Sequence, residues 1–149
     1  MGRLMGLDIG ESRIGVAVSD PMMLTAQGIE SYKCKNREAD FAHLQALAEQ
    51  YDVSLIVAGL PVNMNNTLGE QAEYVQEFMT EFAEKTGLPF TYWDERLTSM
   101  QAERYLLEAD MSRSKRRKVI DKTAAVLILQ AYMDSPQGWA AAQKEQDNG

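Results

Sequence analysis

The chain is short of the residues that small metal-bound or disulfide-bonded domains depend on. It holds one cysteine, Cys34, and one histidine, His43, among 149 residues. A single cysteine excludes an internal disulfide, and with a single histidine it cannot complete a structural zinc site. A nucleophile–histidine–acid triad would have to use His43. That residue falls off the apolar stripe of "DFAHLQALAEQY" (Phe41, Leu44, Ala48 and Tyr51), so a solvated helix histidine is expected. Apolar runs stay far below the ~20 residues that span a bilayer. The first residues pass into a strand pattern without the layout of a signal peptide, and the expected compartment is the cytosol. Neither a repeat nor an interdomain linker is visible. The length suits one domain, expected over 1–135, with a polar tail at 136–149.

Basic charge is also scarce. Lys and Arg number 15 against 22 Asp and Glu, a net charge of −7. Taken alone, that opposes a nucleic-acid partner. The distribution reverses the impression. The strip "SRSKRRK" concentrates Arg113, Lys115, Arg116, Arg117 and Lys118, leaving ten basic residues for the rest of an acidic chain. A solvated loop would explain such a strip, and so would contact with a phosphate backbone.

What is present reads as strands first, then alternation. "RLMGLDIG" and "RIGVAVSD" are strands separated by a tight turn, hence an antiparallel hairpin. "GIESYKC" predicts a third strand, and a helix follows over about 39–51. "VSLIVAGL" is a continuous apolar run typical of a strand covered on both faces. A turn-rich loop, "PVNMNNTLGE", comes next. Thr67 and Glu70 have capping-box spacing and predict a helix start there, with Gly87 and Pro89 ending it. "PFTYWDE" is the fifth strand. Thr98 and Gln101 form a second capping box that opens "MQAERYLLEAD". The basic strip follows, then an apolar helix, "DKTAAVLILQAYMD", opened by Asp121, and a possible turn at "WAAAQ" in the tail. This order predicts one mixed α/β sheet covered by helices, with strand ends gathered at one edge.

Carboxylates fall at those ends. Asp8 closes the first strand, Asp94 and Glu95 close the fifth, and Asp121 opens the last helix on the face of Ala125, Ile128 and Tyr132. Each has an ordinary reading as a turn acceptor, a solvated charge or a helix cap. Together they would repel one another unless divalent cations relieve the repulsion. Mg²⁺ accepts a few carboxylates and takes its remaining ligands from water and phosphate. With the basic strip adjoining Asp121, the set points to metal-assisted phosphodiester hydrolysis.

The segments "GLDIGESRIGVAVSDP", "IVAGLPVNMNNTLGEQA" and "DERLTSMQAERYLLEADMSRSKRRKVIDKTAAVLILQAYMD" resemble the YqgF or RuvX family of the ribonuclease H-like superfamily. The resemblance spans most of Arg3 to Asp134. It implies a ribonuclease H-like fold, a five-stranded mixed sheet with helices on both faces. It also implies a hydrolase: a nuclease that matures the 5′ end of pre-16S ribosomal RNA, or, in the older description of such proteins, a Holliday junction resolvase. Residue by residue, the catalytic and metal-binding set becomes Asp8, Glu95 and Asp121, with Mg²⁺ or Mn²⁺ as cofactor. Asp94 is the less favoured stand-in for Glu95, because neighbours in a strand face opposite sides. Arg13, Arg96 and Lys122 flank the acids, where they would bind phosphate or neutralise the cluster. Asn66 stands where many relatives have glycine, and asparagine tolerates the left-handed backbone. Asn63 and Asn65 are candidates for substrate contact or ordinary turn residues.

The partners expected are pre-ribosomal RNA or branched DNA, with ribosome-assembly or transcription factors also compatible, as a monomer or homodimer and without a membrane. Two rivals stand beside the nuclease. One is a nucleotide-handling enzyme of the actin and sugar-kinase type, disfavoured by a single domain copy and the lack of a Walker-type loop. The other is an RNA-binding module that cuts nothing.

Overall fold

Strands buried on both faces organise the molecule around a central sheet. The computed structural model describes residues 2–97, 113–136 and 138, with side chains for all of these except 113–122. The helix expected from Thr98 and Gln101 and the turn at "WAAAQ" lie outside the described residues.

Strands β1 (Arg3–Ile9), β2 (Arg13–Ser19) and β3 (Ala26–Lys33) form an antiparallel meander. On its other side β1 pairs in parallel with β4 (Val53–Leu60), and β4 pairs in parallel with β5 (Phe90–Asp94). The resulting order is β3-β2-β1-β4-β5. Because β1, β4 and β5 run the same way, their carboxyl ends share one edge of the sheet.

Helices α1 (Arg37–Gln50) and α2 (Glu70–Thr86) cover one face, where Phe41, Leu44, Phe78 and Phe82 pack on Met5, Leu7, Ile14 and Ile56. Helix α3 (Arg113–Asp134) covers the other, setting Ala125, Ile128 and Leu129 on Leu4, Ala17 and Val57. This layering explains why "VSLIVAGL" lacks a polar face: each side of β4 meets a helix. Helix α3 approaches β1 closely. A Cβ on Gly6 would lie 2.7 Å from the Leu129 Cβ and 2.9 Å from the Ala125 carbonyl oxygen. No described helix is long and apolar enough to cross a membrane.

Three local expectations are corrected. Helix α2 begins at Glu70 with Gly69 as its N-cap, not at Thr67. The Thr67 hydroxyl bonds Asn65 and Asn63 inside the loop instead, and a Val62–Leu68 bridge keeps the chain extended there. Helix α3 begins at Arg113, so Asp121 lies eight residues inside it rather than at its start. The strip "RSKRRKVI" lacks glycine and proline and is rich in Arg and Lys, which are good helix formers.

His43 is the third correction, since it is not simply solvated. Its ring stacks on Tyr32 with centroids 4.1 Å apart, and its Nε2 contacts the Glu30 carboxylate. Alongside, buried Asp40 in the first turn of α1 accepts the Tyr32 hydroxyl and the Lys35 amide, both at 2.9 Å. Burial, reinforced by Asp40, pushes the Tyr32 phenol up to about 12. The whole cluster docks α1 against β3, a partnership invisible in the helix pattern alone.

Candidate active site

Strand alternation decides which way Asp8 faces. Met5, Leu7 and Ile9 belong to the core under α1 and α2, whereas Leu4 and Gly6 lie under α3. Asp8 therefore projects on the α3 side, half-buried at the strand end. Register sets its neighbours. Gly15 lies opposite on β2, and the pairing of Leu7 with Ala58 brings Asp8 alongside Gly59 of β4. Arg13, two residues before Gly15, shares that face of the sheet.

Glu95 reaches the same place by another route. Strand β5 ends at Asp94, and Glu95 opens a single 3-10 turn, Glu95–Leu97, so strict alternation no longer governs it. Its Oε1 lies 2.8 Å from where a Cβ on Gly59 would stand, with the Ile128 Cδ1 at 2.5 Å from the same point. Glycine within an apolar strand, here next to its last residue, is the sign of such a close approach. The missing side chain at 59 is the seat of the Glu95 carboxylate, and Asp8 flanks that seat from β1.

Asp94 is engaged elsewhere. Its carboxylate accepts the Arg96 backbone N–H at 2.9 Å, Nε at 3.1 Å and Nη2 at 2.7 Å. These bonds hold the Asp94 carboxyl below its ordinary range, the guanidinium being the leading cause. Arg96 Nη1 continues to the Asn63 carbonyl at 3.1 Å and the Asn66 Oδ1 at 2.9 Å. Asn66 takes the left-handed backbone, φ 69°, that asparagine accommodates. Asn63 and Asn65 hydrogen-bond within the loop, largely through Thr67. Sequence reasoning missed this clamp, because nothing local links Arg96 to a loop 30 residues away.

Asp121 lies one helical turn before Ala125, which packs on the sheet. Its side chain, with those of Lys122, Arg113, Lys115, Arg116, Arg117 and Lys118, lies outside the described residues. Among the described residues no three His, Cys, Asp or Glu side chains converge to hold a metal. Of the three acids expected to do so, Glu95 reaches Gly59 on the α3 face, and Asp8 projects on that face from the neighbouring strand. Their all-oxygen donor set suits a hard divalent cation.

A mixed sheet with β1 at its centre, a meander on one side, parallel strands on the other and helices on both faces is the ribonuclease H-like architecture. The RuvC resolvase of Thermus thermophilus, solved with a Holliday junction substrate, superposes with a TM-score of 0.57 at 13% identity, over 92% of this chain and 98% of that one. The fowlpox virus Holliday junction resolvase gives 0.54 at 15% identity, over 89% and 97%. At that identity the likeness concerns the fold.

Sequence narrows it further. The model of the family described as "RuvX: Holliday junction resolvase" matches residues 2–135, and the chain belongs to the RuvX family of nucleases. Its relatives include proteins named "Putative pre-16S rRNA nuclease". That of Clostridioides difficile is 53% identical over 133 residues, covering 89% of this chain and 94% of the relative. That of Heliobacterium modesticaldum is 48% identical over 145 residues, covering 97% of each.

Proposed function

We propose that this nuclease uses Asp8, Glu95 and Asp121 to hold divalent metal, Mg²⁺ or Mn²⁺, and cleaves the 5′ flank of pre-16S ribosomal RNA. The observation that carries the reading is the seating of the Glu95 carboxylate at the bare Cα of Gly59, on the face and at the sheet edge where Asp8 ends the neighbouring strand. Bound there, the metal supplies Lewis acidity and a water of lowered pKa. The protein's own part is to orient and to grip. Asp8 is fixed by the register of the central strand and Glu95 by the seat at Gly59. Asp121 rides on the helix that packs over both strands. Arg13, Lys122 and the strip Arg113, Lys115, Arg116, Arg117 and Lys118 bind the phosphate backbone. The RNA substrate is favoured by the names of the relatives. Cleavage of a branched DNA junction is the second reading, favoured by the family's description. Comparing a pre-16S leader with a synthetic four-way junction, at equal metal and salt, separates the two. Preferential cutting of the junction would overturn the RNA assignment.

Replacing Arg116 and Arg117 by alanine weakens binding alike across sequences and lowers the slope of log affinity against log salt by up to about two. Filter binding over a salt series reads this, and an unchanged slope removes both residues from the interface.

Gly59→Ala tests the seat. The atoms in its way are side-chain ends, which can swing aside, so the fold survives and the carboxylate moves. Displacement of about 1 Å reduces cleavage by up to about a hundredfold. Single-turnover rates at saturating enzyme measure it, and a wild-type rate would show that Glu95 is not used where it sits.

A further inference from the structure

We infer that Arg96 is a positioning residue, which locks the Glu95 turn to the 61–69 loop and leaves phosphate binding to other side chains. The inference rests on the assignment of Glu95 above. Arg96 and Asp94 are the two chain neighbours of Glu95, and each is tied down through the other. The Asp94 carboxylate takes the Arg96 amide and both its Nε and Nη2, a forked ion pair in which the two side chains are 29% and 26% exposed. Fork geometry fixes orientation as well as distance.

The remaining nitrogen, Nη1, crosses to the loop. There it finds the Asn63 carbonyl, which also accepts the Asn66 amide at 2.9 Å, and the Asn66 side-chain oxygen. The loop is itself closed by the Val62–Leu68 bridge and by the Asn63 amide on the Thr67 carbonyl at 3.0 Å. Arg96 thus joins the end of β5 to a loop, closed by its own bonds, that leaves the end of β4. The strand that bears the Gly59 seat and the turn that bears Glu95 are cross-braced. Four of the guanidinium's five N–H groups are engaged in the brace, so a phosphate could draw on a single Nη2 hydrogen at most without breaking it.

The test uses Arg96→Gln, Arg96→Lys and Asp94→Asn in the full-length protein. Binding is measured over a salt series in a metal-free buffer containing EDTA, cleavage by single-turnover kinetics across a metal titration, and loop order by amide hydrogen exchange of residues 61–69. The expected result for Arg96→Gln is a ten- to hundredfold lower maximal rate, a raised metal requirement, affinity and salt slope as in wild type, and faster loop exchange. Lysine, a point donor, restores little. Asp94→Asn reproduces the pattern, and the double variant adds nothing further. A salt slope lowered by about one, with maximal rate and loop exchange unchanged, would overturn the inference in favour of phosphate contact. Unchanged loop exchange in Arg96→Gln overturns it whatever the activity. Failure of the nuclease reading is separable: Glu95→Gln would then cleave like wild type, while the exchange data still report on the brace.

Discussion

Asp8→Asn protein cleaves at least about a hundredfold more slowly than wild type at saturating metal, and binds the same nucleic acid within about threefold. Asparagine keeps the shape and hydrogen-bonding reach of the side chain and removes the charge that a divalent cation needs. Asp8 ends the central strand on the α3 face, beside the β4 position that seats Glu95. The fold should survive, because asparagine is nearly isosteric with aspartate at this half-buried strand end. A cooperative melt within a few degrees of wild type would show that the loss is chemical. Purified Asp8→Asn that cuts at the wild-type rate would end the metal-nuclease assignment.

The second large effect concerns stability. Gly6→Ala lowers the melting temperature by roughly 2–12 °C. The added Cβ would stand 2.7 Å from the Leu129 Cβ and 2.9 Å from the Ala125 carbonyl, atoms that move only if the whole helix moves. Overpacking of that kind costs about 1–3 kcal/mol. For a chain of this length each kcal/mol shifts the midpoint by about 2–4 °C. Gly59→Ala is the internal control: its obstacles are side-chain tips, so it melts within a few degrees of wild type. Thermal unfolding by circular dichroism reads both, and a Gly6→Ala midpoint within a degree of wild type would show that α3 is not seated as described.

Much of the fold was legible because burial leaves periodic traces. The hairpin of β1 and β2, the doubly covered β4 and the glycine stop of α2 all follow from runs and turns in the sequence. The start of α3 was not, since "RSKRRKVI" has helix propensity but no sustained apolar stripe to announce it. The capping box at Thr67 misled for a different reason: a threonine can bond within a loop as well as to a helix end. The site was half legible. Asp8 stood out as a charge ending an apolar strand, and Glu95 came through the family resemblance. The role of Gly59 had a signal, a glycine inside "VSLIVAGL", that was not weighed. The bond from Arg96 to Asn66 had none, because only the parallel pairing of β4 with β5 brings those positions together.

That α3 begins at Arg113 has a mechanical consequence. Eight residues of continuous helix from Arg113 to Asp121 rise about 12 Å and turn by a set angle for each residue. The cationic stretch and the acid are therefore not separately adjustable: they behave as two marks on one stiff ruler. With the strip as the proposed grip and Asp121 as a proposed metal ligand, a polyanion held at one mark has its register at the other dictated in advance, which favours cutting at a set spacing from the grip over cutting wherever charge happens to be dense.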